Sequence, residues 1–415
     1  MKIAIIGAGF TGLTAGLKLT SAGHEVTIFE KEDKVGGLAV GFKNPGWEWS
    51  LEKHYHHWFA NDSYAINLIK EMGLGKDLFF KKPRTDIFLK GKIYPLNSAI
   101  DILNLRPLSF ISRVKLGAVS LFLKATPART AVNFEKTTAK DWIKKYYGSE
   151  VWEKVWKPLL NGKFGPFAET VNMAWFWARI YKRTFKLGYL GGGYQRLSEK
   201  IAEKIIERGG IIKLGSSFDP KLVSKFDKVI VTTPLAIFAK MFPELPEDYK
   251  NKINQIPHLH AFNMLLTTRE KFLPESYWLN ISDSDFPFVG VVQHTNFVDS
   301  AHYDGQHLTW LVNYLPPEHP LLQMKKGEIL KKFEPYLKKI NPKYDLEKNI
   351  IDFEMFFGPF AQPVFPVNYS KIKPDFVTPI KNVYLANMDM VYPWDRGTNY
   401  AIEMGEKVAK IVTET

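Results

Sequence analysis

Residues 52–59 read EKHYHHWF and hold three of the ten histidines in the chain, His54, His56 and His57, beside Tyr55 and Trp58. An imidazole titrates near neutrality, so His54 or His56 could carry a proton while a substrate bond breaks. The spacing matches no standard metal-ligand pattern, and no metal is expected. The plainer reading, a packed aromatic segment with hydrogen-bonded imidazoles, is preferred for at least two of the three. A second concentration is Tyr392-Pro393-Trp394-Asp395-Arg396-Gly397. Trp394 could stack on a substrate or cofactor ring, and Arg396 could pair with an anionic group. As a plain turn, the same run would use Asp395 and Arg396 for capping. Arg179 and Arg183 stand four residues apart, after the aromatic run Trp175-Phe176-Trp177. On one helix face they would suit a carboxylate or phosphate, although a solvated face is the commoner outcome. Tyr369, within AQPVFPVNYS, is expected to face the same cleft.

The elements that must hold these groups begin at the N-terminus. Lys2–Ile6 is a short apolar run suited to a buried parallel strand. Gly7, Gly9 and Gly12 follow as G-x-G-x-x-G where strand should turn into helix. Such glycines permit the tight turn, the close approach of backbone to a pyrophosphate, and close packing of helix on strand. The helix buries Leu13, Leu17 and Leu19, aims its N-terminal amides at the phosphates, and stops at Gly23. A second strand at 26–29 delivers Glu30 to a ribose 2′-hydroxyl, with Lys31 beside it in the same cofactor set. A carboxylate there would repel a 2′-phosphate. The alternative is a glycine-rich turn without a ligand, but strand, helix and acid all fall in register. The motif alone does not separate NAD from FAD.

At 415 residues the chain could be one large domain or two interleaved ones. It has no cysteine, which rules out disulfides, thiolate metal sites and a cysteine nucleophile, and fits a reducing compartment. With the nucleotide strand at its start, no targeting segment is expected, and the expected location is the cytoplasm. Its 56 basic and 43 acidic residues give a net charge of +13. That excess could meet an anionic membrane, attract an anionic substrate, or favour solubility. No nucleic-acid-binding signature is present, and no apolar run is long enough to span a bilayer. Residues 105–129 mix apolar side chains with Arg106, Arg113, Lys115, Lys124 and Arg129. They read as an interfacial helix at the inner face of the membrane or, more commonly, a core helix with basic edges. Pro107 and Gly117 argue against one unbroken helix.

Two later segments extend the nucleotide unit. Residues 187–234 contain Gly191-Gly192-Gly193, a helix over 196–208 and short strands at 211–214 and 226–233. Residues 382–412 give a strand at 383–386 and a helix from 397 to 412, with Ala401, Met404, Val408 and Ile411 on one face. The intervening regions are rich in aromatics, and 261–267 and 308–314 alternate as antiparallel strands do. The expected architecture is α/β: a Rossmann-like domain from residues 1–53, 187–234 and 382–415. A substrate domain of helices and mixed antiparallel sheet is inserted as 54–186 and 235–381.

With those residues assembled, the chain resembles the superfamily of flavin-containing amine oxidases, protoporphyrinogen oxidases and phytoene desaturases. Gly36-Gly37 matches the glycine doublet that sits against the FAD pyrophosphate there, and FDKVIVTTP matches the family's middle FAD segment. VYLANMDMVYPWDRGTNYAIEMG matches the last strand and helix. The resemblance implies FAD as cofactor, with Asp389 on the ribitol. It turns the helix start, Gly397, Thr398, Asn399 and Ala401, toward the pyrophosphate and the flavin's pyrimidine edge, and sets 52–59 near the flavin ring. Leu38 stands where the family usually has arginine, and Asn387 where it usually has glycine. The function implied is an FAD-dependent oxidoreductase moving hydride from a C–H or C–N bond of a hydrophobic or aromatic small molecule to flavin N5. HHWFAND and GKIYPLN also resemble sugar-nucleotide mutases such as UDP-galactopyranose mutase, which implies a redox-neutral alternative. A third reading is a non-catalytic FAD-binding protein.

Overall fold

Ile3, Ala4, Ile5 and Ile6 form an unbroken apolar run, which only a strand covered on both faces can accommodate. In the computed structural model, which describes residues 1–414, Lys2–Ile6 lies between Glu25–Phe29 and Lys228–Val231, parallel to both. Ile211–Lys213 and Val383–Leu385 extend this into a five-stranded parallel sheet. Its strands come from three widely separated stretches of chain. The helices Phe10–Ser21, Tyr194–Glu207 and Thr398–Glu414 pack around it, and the first and last approach backbone to backbone. A Cβ on Gly405 would lie 2.5 Å from the Thr11 carbonyl oxygen. On the last helix Ala401, Met404 and Val408 are buried as expected, but Val412 completes the stripe; Ile411 is only partly covered.

The second sheet has seven strands, in the order 350–363, 258–268, 307–315, 290–293, 278–281, 85–89, 92–95. The expected antiparallel pair is present, with Ala261 opposite Tyr314 and Thr267 opposite Leu308. Thr85–Leu89 joins Trp278–Ile281 in parallel, so strands from both aromatic-rich regions share one sheet. Helices between residues 99 and 182 lie beside it and bury Trp152, Trp175 and Trp177. As expected, 105–129 is not one unbroken helix, but Gly117 is not where it breaks. Pro107 precedes the helix, Ser109 caps it, and Phe110–Ala125 runs unbroken through Gly117. Among the described residues no helix is long and apolar enough to cross a membrane.

Candidate active site

At the carboxyl end of the parallel sheet, Gly7 adopts φ +104°, and a Cβ on Gly12 would lie 1.9 Å from the Gly7 carbonyl oxygen. Gly9 caps the first helix with no side-chain hydrogen bond, leaving first-turn amides to be satisfied by a ligand. The Gly36-Gly37 doublet packs on Gly9, and Gly36 donates its N–H to the Ala8 carbonyl at 2.9 Å. A Cβ on Gly37 would come within 3.1 Å of the Gly9 Cα, so the pair stays open only because both lack side chains. The Glu30 carboxylate is buried and accepts from the Ala8 amide at 2.7 Å and the Glu32 amide at 3.0 Å. Thr233 Oγ1, at the end of the neighbouring strand, is buried with no partner. Bare amides, facing glycines and an orphaned hydroxyl fit a pyrophosphate-bearing ligand. Lys31 instead points outward and pairs with Glu32 at 3.1 Å.

Asp389 is buried, and His258 Nε2 reaches its Oδ1 at 2.5 Å. Asp389 in turn holds the His258 imidazole above its usual pKa, against the opposing effect of burial. Tyr369 does not face the cleft. It is fully buried against Phe365 and Tyr392, and its hydroxyl donates to the Asp389 carbonyl at 2.8 Å. Trp58 Nε1 donates to Thr398 Oγ1 at 2.8 Å and the Ala65 amide to Asn399 Oδ1 at 3.1 Å, so these two side chains anchor the 54–65 segment.

Beside the last helix opens a cavity of about 560 Å³, walled by residues from both aromatic-rich regions and by 395–400. Seven cationic side chains line it (Lys82, Arg84, Lys163, Arg179, Lys182, Arg183 and Arg396) against two carboxylates, Asp62 and Asp395. Asp395 gathers three groups: Lys163 at 3.3 Å, Trp175 Nε1 at 3.2 Å, and Arg179 in close contact. Burial alone would raise the Asp395 carboxyl, but Lys163, Arg179 and Arg396 outweigh it and hold the group well below the usual carboxylate range. Arg183 lies just past the end of the helix Met173–Lys182, so it does not share a helix face with Arg179. Both still reach the cavity. Arg183 is accessible from it, yet the surrounding protein and Arg179 draw its pKa down to about 10, with no carboxylate offsetting them. Trp394 is held among Trp177, Tyr181 and Tyr400, and Lys182 over its face, not the indole, lines the cavity.

The histidines do not titrate near neutrality. Burial lowers His54 to about 3, His56 to about 4 and His57 to about 3, so all three are neutral imidazoles. His56 Nδ1 sits 2.6 Å from the His54 carbonyl, which fixes its proton there and leaves Nε2 unprotonated. Asn263 Nδ2 donates to His54 Nδ1 at 2.8 Å, fixing the opposite tautomer. His54 and Leu38 share a smaller cleft with Tyr55 and Arg396.

Sequence reasoning passed over two groups. Tyr314 ends a core strand, bonds Tyr55 hydroxyl to hydroxyl at 2.7 Å, receives a hydrogen bond from Arg396, and has Lys163 4.9 Å from its ring centre. Burial would raise this phenol, but Arg396 and Lys163 prevail and bring it below its ordinary pKa. The second is Glu52, fully buried, accepting from Tyr189 at 2.9 Å and from the Tyr194 amide at 2.7 Å. Burial pushes it up to about 7 despite those bonds. A raised carboxyl favours the fold below its unfolded value and loses that advantage as pH rises through 7. Wild type should therefore lose about 2–3 kcal/mol relative to Glu52→Gln between pH 4.5 and 8. Urea unfolding of both proteins at the two pH values measures this; an unchanged gap would remove the buried acid from the account.

A glycine-lined turn over a parallel sheet, opening beside an aromatic cavity, is the arrangement of a Rossmann-like fold. The chain belongs to the flavin containing amine oxidoreductase family, whose model matches residues 10–413. Over 51 residues it is 53% identical to a 4,4'-diapophytoene desaturase (4,4'-diaponeurosporene-forming) of Staphylococcus aureus. That match covers 12% of this chain and 10% of the desaturase. Solved structures share the fold at low identity. A candidate protoporphyrinogen oxidase from Exiguobacterium sp. 255-15 is 14% identical, with TM-score 0.76, and the match covers 100% of this chain and 99% of that one. Reduced UDP-galactopyranose mutase is 15% identical, with TM-score 0.75, over 100% and 95% of the two chains. Putrescine oxidase bound to putrescine is 15% identical, with TM-score 0.71, over 100% and 99%.

Proposed function

We propose that the protein is an FAD-dependent oxidoreductase acting on a C–H or C–N bond of a small molecule that joins an apolar or aromatic body to an anionic group. The observation that carries this reading is the cavity, aromatic in its walls and with seven cations to two carboxylates. Such a lining raises the local concentration of anions and orients them. Porphyrinogen-like substrates suit it, as do isoprenoids bearing an acidic group. FAD, when bound, accepts the hydride at N5. Gly7, Gly9, Gly12, Gly36 and Gly37 would hold the pyrophosphate, Glu30 the ribose and Asp389 the ribitol, with Gly397–Ala401 at the pyrimidine end. The three-segment division of the chain into FAD and substrate domains belongs to this reading.

The remaining chemistry belongs to the chain's own residues. When a hydride leaves one substrate atom, a proton must leave the neighbouring one. Tyr314 in its ionised form, which Arg396 and Lys163 favour, is the group we assign to take it, its phenolate oxygen becoming the hydroxyl. His56, whose Nε2 is unprotonated, lines the same cavity, and Arg183 and Arg179 would orient the anionic end.

The test is the visible spectrum of the purified protein, recorded without oxygen before and after adding protoporphyrinogen. The expected result is a flavin band that bleaches, with Arg183→Gln weakening the substrate about tenfold at unchanged flavin content. No flavin band even after FAD is supplied would sink the cofactor assignment. The same cation-rich lining also suits the diphosphate of a sugar nucleotide. A redox-neutral mutase would leave the oxidised band untouched and show turnover of UDP-galactopyranose only after dithionite reduction.

A further inference from the structure

Seven of the twenty exposed large apolar side chains among the described residues fall between positions 100 and 122. On the helix Phe110–Ala125 they make a stripe: Phe110 is 66% exposed, Ile111 68%, Val114 44%, Leu121 70% and Phe122 58%. The spacing is that of one helical face, and the opposite face, through Leu116 and Leu123, is the buried one. This helix thus turns its greasier side outward. The short helix Ala99–Leu103 adds Ile100 at 67% and Leu103 at 45%, tied on by Arg113, which donates to the Leu103 carbonyl at 2.5 Å. Cations rim the stripe. Arg106, Lys115, Lys124 and Arg129 are exposed, and Arg113 lies over the Phe110 ring with 5.6 Å to its centre. Of the nearby acids, Asp101 accepts the Asn97 amide, and Glu150 is held by Ser109 and Lys154.

The patch borders the cavity at both ends. Leu96 and Asn97, which line the cavity, lead directly into the helix Ala99–Leu103. At the other end Lys124 Nζ donates to the Tyr181 carbonyl at 2.7 Å and the Arg183 carbonyl at 2.6 Å. Phe185, 63% exposed, lines the cavity on that side. An apolar face rimmed by lysine and arginine complements an anionic lipid leaflet, with side chains entering the acyl boundary and cations meeting the headgroups.

We infer that the face formed by residues 99–125 docks on an anionic bilayer surface and sets the cavity mouth against it. The inference is independent of which bond the enzyme oxidises. Full-length protein is floated with vesicles of phosphatidylcholine alone and of one part phosphatidylglycerol to three parts phosphatidylcholine. The expected result is flotation with the anionic vesicles, weakened by added salt, and about tenfold weaker partitioning for Leu121→Asp combined with Phe122→Asp. A second variant, Lys115→Glu with Arg129→Glu, changes two exposed side chains and should lose anionic-vesicle binding while keeping its melting temperature and flavin content. Failure of wild type to float, or flotation that neither variant weakens, overturns the inference. So does a lipid-free dimer that Leu121→Asp with Phe122→Asp dissociates, because the face would then be occupied by a second copy.

Discussion

Asp395→Asn should destabilise the protein by about 2 kcal/mol, because it leaves the buried Lys163 ammonium and the half-exposed Arg179 without their shared counter-charge. Lys163, with 14% of its side chain exposed, and Arg179 both converge on this carboxylate, and Trp175 completes its hydrogen bonds. An asparagine keeps the shape and part of the hydrogen bonding but removes the charge. The depressed carboxyl supplies its stability above the unfolded aspartate value, so the full loss should be visible at neutral pH. Urea unfolding at pH 7 provides the measurement. Adding Lys163→Met to the asparagine variant should recover part of the loss by removing one unpaired cation, a coupling that a double-mutant cycle reads directly. A loss under half a kcal/mol, or purely additive effects, would show that cavity water screens the cluster.

Gly12→Ala is the second large effect. Its new methyl would stand 1.9 Å from the Gly7 carbonyl oxygen and 3.2 Å from Thr232 Oγ1. Backbone must move, and the turn that moves is the one proposed to face the pyrophosphate. The expected cost is about 3 kcal/mol, with purified protein retaining little flavin. Gly117→Ala serves as the control: nothing lies within 4 Å of the new methyl, and the residue sits inside a helix. It should gain about 0.5–1 kcal/mol from helix propensity. Should Gly12→Ala purify with full flavin absorbance and an unchanged melting temperature, the tight turn would not matter as described.

Local patterns in the sequence carried the parallel strands, the glycine turn, the last helix and the antiparallel pair at 261–267 and 308–314. Each depends on periodicity or on a turn whose chemistry lies within a few residues. The cluster around Asp395 was not legible in that way. Its members, at positions 163, 175, 179 and 395, meet only after strands and helices far apart in the chain have packed. Tyr314 looked like one more apolar member of a core strand. The available signal was polar residues inside buried strands: Asn263, Gln293 and Asn313 are all nearly inaccessible, and a core strand spends such residues on a polar interior. Tyr369 and Trp394 were misjudged because an aromatic near a cleft motif fits a core wall as readily as a cavity wall. The plainer reading of the histidines, packed and hydrogen-bonded imidazoles for at least two of the three, agrees with their burial. Only the near-neutral titration offered for His54 or His56 was misjudged, because a sequence shows an imidazole but not the depth at which it lies.

The parallel sheet also constrains how the chain can be made. Lys2–Ile6 cannot gain its neighbour Lys228–Val231 until more than half of the polypeptide has been synthesised, and Val383–Leu385 arrives later still. The contact of Gly405 with Thr11 closes last of all. Throughout that interval the apolar strand Lys2–Ile6 has one edge without its final partner, and loop-closure entropy over such distances favours slow assembly. The nascent chain therefore emerges with its cofactor cradle half built and a strand edge open to neighbouring polypeptides, which makes its yield in the cell sensitive to translation speed and chaperone supply.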